Sequence, residues 1–343
     1  MKVRKIGVVS LSSGILGEDF ISHEVKIGIE RLKKYGIEVE FLPNSTKGIE
    51  FLKNNPKARA KDLIEAFKDD SIDMILCAIG GDDTYRLLPY LFENNELEMA
   101  VKQKIFLGFS DTTINHFMLN KVGIKTFYGQ AFLPDICELS NEMLPYSKHF
   151  FEELINNGEI KEIYPSDVWY NEREDFSEKA IGISMEGHYN RGFELIRGNA
   201  KFEGKILGGC INTIFDIFDN TRYEDSVYLC KKYEIFPSLE KWKNKILLLE
   251  TSEERPKPEL FRKMILKLVE YGIFDVISGL IIGKPQNEVY YEEYKQILLD
   301  EIKNKDLSIV YNINVGHSTP RCIIPFGVNA KVDIERQIIE FKE

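Results

Sequence analysis

Residues 105–116 read "IFLGFSDTTINH", a buried apolar run that stops at Ser110 and gives way to a helix-like segment. Two chemistries put a serine at such a junction. As an N-cap, its hydroxyl satisfies a free helix amide. As a nucleophile, it sits on a strand–turn–helix elbow that exposes the hydroxyl and aims helix amides at a developing oxyanion. The usual elbow has glycine two residues after the serine, and this chain has Thr112 there, so the stretch alone leaves both readings open. Glu250 ends the apolar run "KILLLE". A carboxylate at a strand tip can orient a histidine and stabilise its imidazolium, although the neighbouring Glu253 and Glu254 fit a solvated acidic turn equally well. His317, in "NVGHSTP", follows an apolar run and a glycine. Its ring therefore projects at a strand end, where a general base belongs; a structural loop histidine is the alternative.

The other histidines rank lower. His188, in the polar segment "MEGHYNRG", is a second candidate base, while His116 faces inward on a helix. His23 and His149 lie on amphipathic helices, where a packed or solvated ring is the default. A further segment, "AIGGDDTYRLLPYL" (78–91), puts two glycines at a strand end, letting backbone approach a ligand with its amides outward. A tight turn with an acidic cap is the plainer reading. "GGDDT" also resembles the nucleotide loop of NAD and diacylglycerol kinases, but Asp83 stands where that loop has glycine and no P-loop accompanies it.

Such residues need elements that hold them at one place. The first half alternates short apolar runs ("KIGVVSL", "IEVEFL", "DMILCAIGG", "KIFLGF") with amphipathic helical segments ("EDFISHEVKIGIERLKKYG", "KARAKDLIEAFKDDS", "TTINHFMLNKVG"). That alternation predicts a parallel sheet covered on both faces, with its sites at the carboxyl ends of strands. From about residue 143 a helix, "MLPYSKHFFEELINNG", leads into a polar aromatic stretch, "SDVWYNERED", expected as a loop or interdomain crossing. Gly-punctuated strands follow ("GFELIRGNAKFEGKILGGC"), then "KILLLE", "VISGLIIG", "LSIVYNINVGH" and a closing hairpin, "NAKVDIERQIIEF". The expected class is α/β, with an N-terminal Rossmann-like domain over 1–165 and a smaller C-terminal β/α domain over 166–343 that includes the crossing segment 166–195.

Composition narrows the function classes. The chain has 343 residues and a net charge of −10, with basic residues scattered rather than striped, which argues against nucleic acid or an acidic membrane as partner. Its five cysteines form no CxxC pair and are odd in number, which suits free thiols in a reducing compartment. No His/Cys spacing suggests zinc. "MKVRKIGVVSLSSG" has an apolar stretch too short for a signal peptide and reads as a first strand.

Taken together, "GGDD…RLLPYL", "GFSDTT", "GKILGGCINTI", "ILLLET" and "NVGHS…PFGVNAKVD" resemble, in order and over nearly the whole chain, the serine LD-carboxypeptidase family. The segment "PSDVWYNE" and the overall length are similar to its microcin C immunity branch; murein tetrapeptide carboxypeptidases are the other branch. The resemblance implies a cytoplasmic, homodimeric hydrolase that needs no metal or other cofactor. Ser110 would be its nucleophile, Glu250 the acid and His317 the base, with the Gly81 and Asp111 amides as oxyanion hole. Its substrate would be a small peptide or an aminoacyl-nucleotide, contacted by Asp82, Cys210 and Trp169, the last as a stacking platform for the base; an indole that anchors the crossing by packing is the alternative for Trp169. Cys210 departs from the pattern, since the branch has asparagine after its two glycines, and this leaves the natural substrate open.

Overall fold

The computed structural model describes residues 2–342. Lys5–Val9, Met74–Cys77, Ile105–Gly108 and Thr126–Tyr128 pair in parallel, with Glu38–Phe41 on the far side of Lys5–Val9. Three of these strands are buried at every residue, as a sheet covered on both faces requires. The covering helices include Ser22–Lys34, Pro56–Lys68 and Thr113–Lys121, the periodic segments read from the sequence. A sixth strand, Ile324–Phe326, comes from the other end of the chain and runs antiparallel to Thr126–Tyr128. Pro325 has no N–H to give to a second neighbour, which suits an edge position.

The second sheet has eight strands. Lys201–Cys210, Lys245–Glu250, Gly279–Gly283 and Ser308–Ile313 form its parallel core. Glu194–Arg197 flanks one side, and the other carries the hairpin of Asn329–Asp333 and Ile338–Lys342 followed by Glu162–Ile163. The predicted closing hairpin is therefore present. Lys201–Cys210 serves two partners: its first half pairs antiparallel with the hairpin, its second half parallel with Lys245–Glu250.

The two sheets meet where that strand ends. Gly209 has φ +136°, and a Cβ there would lie 2.3 Å from Thr113 Oγ1 and 2.9 Å from the Tyr128 ring. Only glycine lets the second sheet press this closely on the first. The expected loop at 166–175 contains a strand instead, Val168–Tyr170, paired with Gly187–Tyr189 in a two-stranded ribbon. Among the described residues no helix is long and apolar enough to cross a membrane.

Candidate active site

Ser110, Glu250 and His317 sit at or just beyond the carboxyl ends of three parallel strands, two in the second sheet and one in the first. Ser110 has φ +66°, a conformation uncommon for a residue with a side chain and frequent where strain serves a site. Its hydroxyl caps no helix. Oγ lies 3.1 Å from His317 Nε2 instead. The turn is braced by its threonines: Thr112 Oγ1 donates to Phe109 O (2.7 Å) and Thr113 Oγ1 to Ser110 O (2.6 Å). Gly80 explains the first of the paired glycines. A Cβ on it would fall 2.6 Å from Ser110 Cβ and 2.7 Å from Oγ, so any larger residue would crowd the hydroxyl.

On the far side of the ring, His317 Nδ1 pairs with Glu250 Oε2 at 2.7 Å, and the His317 backbone N–H donates to the same oxygen at 3.1 Å. Glu250 is almost fully buried and its other oxygen accepts the Tyr128 hydroxyl at 2.6 Å. That hydroxyl in turn accepts the Ser110 N–H at 3.2 Å. Tyr128 thus ties the acid to the backbone of the serine, a link the sequence reading missed. Its position at the end of a fourth strand, "TFYG", was the available clue. Burial opposes charge on His317, but Glu250 and Glu253 outweigh it and raise the ring's pKa to about 10.

Asp111 is buried, and its carboxylate accepts Ser12 Oγ (2.7 Å), Thr84 N (2.9 Å) and Thr84 Oγ1 (2.6 Å). Burial nonetheless raises its pKa above the usual carboxylate value. Ser12 Oγ also accepts the Asp82 N–H at 2.9 Å. The Gly-rich turn is thereby fastened to the serine turn, and Gly81 faces the same space as Ser110. Asp83 pairs with the buried guanidinium of Arg59 at 2.5 and 3.1 Å.

A cavity of about 250 Å³ opens over Ser110, lined among others by Gly81, Asp82, Cys210, Arg222 and Glu253. Cys210, Glu250 and His317 place donor atoms within 4.8 Å of one another. Both Glu250 oxygens and His317 Nδ1 are already committed to each other and to Tyr128. The cluster is therefore a hydrogen-bonded chain with a thiol beside it.

Two family models account for most of the chain: the LD-carboxypeptidase N-terminal domain over residues 6–129 and the LD-carboxypeptidase C-terminal domain over 203–332. The chain belongs to the LD-carboxypeptidase family. Among solved structures it is similar to an MccF-like protein from Streptococcus pneumoniae in complex with AMP, with 64% identity, 99% of each chain covered and a TM-score of 0.98. Among curated proteins it is 24% identical to the microcin C7 self-immunity protein MccF of Escherichia coli, over 92% of this chain and 87% of that one. It is 23% identical to a Bacillus subtilis protein named "Probable murein peptide carboxypeptidase", over 88% and 82%.

Cys210 lines the cavity as a thiol whose pKa burial pushes well above the usual value. Its N–H donates to Thr113 Oγ1 at 2.9 Å. Trp169 lies outside the residues lining the cavity and is 9% exposed. His188 stacks on its indole with centroids 4.4 Å apart, and the Lys284 ammonium stands 5.0 Å from the ring centre. The second candidate base is therefore engaged with Trp169. His116 is sealed between Thr126 and Gly108, and burial lowers its pKa to about 3. His23 bonds the Phe176 carbonyl, and His149 packs on Phe150 and Tyr164.

Proposed function

We propose that this member of the LD-carboxypeptidase family is a serine carboxypeptidase or amidase of the microcin C immunity type, cleaving an amide beside a carboxylate or other acidic group. The observation that carries the reading is the unbroken chain from Tyr128 through Glu250 and His317 to Ser110, ending at a cavity. His317 Nε2 takes the Ser110 proton as Oγ attacks the scissile carbonyl. Glu250 fixes the tautomer, with the proton on Nδ1, and stabilises the imidazolium that forms. The amides of Gly81 and Asp111 receive the oxyanion, an interaction worth about 3–4 kcal/mol per donor in other hydrolases. His317 then returns its proton to the leaving amine and activates the water that clears the acyl-enzyme.

The division of labour follows the chain: Ser110 from an N-terminal unit (1–165), Glu250 and His317 from a C-terminal one (166–343). The MccF-like relative in complex with AMP favours an aminoacyl-nucleotide conjugate as substrate. Asp82 and Cys210, on the cavity wall, would meet it first. Trp169 would receive its base only if the base replaced His188 as stacking partner. The murein-peptide relative supports the same chemistry on a cell-wall tetrapeptide. A nucleotide-kinase reading of "GGDDT" has little behind it, because Asp83 is held by Arg59. A cytoplasmic homodimer working without cofactor is the form proposed.

A serine-directed fluorophosphonate tests the chemistry. Labelling of Ser110, lost in Ser110→Ala, supports it; no labelling together with stabilisation by ATP and magnesium would replace it with the kinase reading. Offering the protein an aminoacyl-nucleotide conjugate and a murein tetrapeptide side by side, with products read by mass, separates the two substrates.

A further inference from the structure

His317 Nε2 has two neighbours that ask opposite things of it. Ser110 Oγ lies at 3.1 Å and Glu253 Oε2 at 2.9 Å. With one proton committed from Nδ1 to Glu250, a bare Nε2 accepts the serine's proton but meets the Glu253 carboxylate as lone pair against charge. A protonated Nε2 pairs well with Glu253 but can no longer activate Ser110. The two carboxylates differ in mobility too: Glu250 is 1% exposed, whereas the Glu253 side chain is 63% exposed and lines the cavity over Ser110.

We propose that Glu253 is a resting-state latch on the general base, pairing with protonated His317 in the empty cleft and yielding its place when substrate enters. The inference rests on the reading of Ser110, Glu250 and His317 given above. A scissile carbonyl must come within about 3–3.5 Å of Ser110 Oγ to react, and that approach competes for the space beside Nε2 that Glu253 occupies. The histidine then becomes a base only in an occupied site. The charged and titratable groups around the ring agree with this. Glu250 and Glu253 both favour the imidazolium. Tyr128 acts through Glu250, and the Cys210 thiol lies beside the pair. Arg222 pulls on Glu253 from across the cavity while bound to Glu254 and Asp216. The Arg321 guanidinium and the His317 ring both pack on Phe109. Glu253 itself ionises more readily than usual, chiefly through its bond to His317.

The direct test is an NMR titration of the His317 ring in the substrate-free protein, which needs no turnover. The wild-type ring is expected to titrate well above the ordinary histidine value. In Glu253→Gln its midpoint should fall by about one to three pH units, the scale of losing one adjacent opposite charge. Glu253→Asp, with a shorter reach, should fall between. In kinetics, the acid limb of kcat/KM reports the free enzyme and should move down with the NMR value, while the acid limb of kcat, which reports the occupied site, should stay. An unchanged ring titration, or equal movement of both limbs, overturns the latch. Failure of the underlying reading looks different: Ser110→Ala would keep activity, whatever the ring titration shows.

Discussion

Two turns at the carboxyl ends of parallel strands build this site, and they are made in opposite ways. Around Ser110 almost everything polar is buried and bonded within the protein: Asp111 to Ser12 and Thr84, Thr113 to the serine carbonyl, Tyr128 to the serine amide and Glu250. The turn at 251–256 instead carries Glu253 and Glu254, with side chains 63% and 50% exposed, the first in contact with His317 Nε2 and the second ion-paired to Arg222. Buried groups cannot exchange a partner without leaving a desolvated atom unpaired, so the first turn is rigid. Exposed carboxylates can let water take a partner's place at small cost, so the second can rearrange. The proposed hydrolysis would use both: a fixed position for Ser110 and a wall that adapts to the bound molecule.

The sharpest break is at the rigid turn itself. Ser110→Ala should lower hydrolysis by a factor on the order of 10⁴ to 10⁶ with the melting temperature little changed, and adding Glu250→Gln should cost little more, because such groups act as one unit. Additive losses would show that the three do not work together. Next, Asp111→Ala strands the Ser12 and Thr84 hydroxyls in a buried space. It should destabilise the fold by about 2–3 kcal/mol in denaturant melts; a change below about 0.5 kcal/mol would mean that the turn holds without it.

Trp169→Ala probes the ribbon rather than either turn. If a base replaces His188 on the indole, kcat/KM for a nucleotide conjugate should fall roughly five- to a hundredfold, while a small acidic dipeptide amide is hydrolysed almost as before. Equal losses on both, tracking a lowered melting temperature, would make the indole a packing residue. The smallest effect belongs to the adaptable turn. Glu254→Gln removes an exposed partner of Arg222 and should alter stability by no more than about 0.5 kcal/mol. A loss as large as that of Asp111→Ala would erase the contrast between the turns.

Much of this was legible in the sequence because the relevant patterns are local. The strand–helix alternation of the first half, the closing hairpin and the helix at Pro145–Asn157 follow from periodicity and turn residues. The Val168–Tyr170 strand was not legible, since three residues in a polar context carry no periodic pattern. Nor was the helix Tyr291–Glu301, whose charged "YEEYKQILLDE" shows its apolar side only when packed on Pro258–Tyr271.

The candidate residues could be read from residue order alone: a serine, an acid and a histidine each placed where an apolar run stops, and glycines where backbone must come close. Which of the alternatives each one takes was decided by tertiary structure. Strand order brings Ser110 from one sheet to Glu250 and His317 of the other across more than a hundred residues, and sequence separation says nothing about such distances. The same packing gave Tyr128 its bridging place, enclosed Trp169 against His188, and set Glu253 opposite Ser110 on one ring nitrogen. Chemistry resides in residue types, which a sequence states outright. Competition for a single atom depends on separations of about 3 Å, the reach of a hydrogen bond, and only the folded chain sets those.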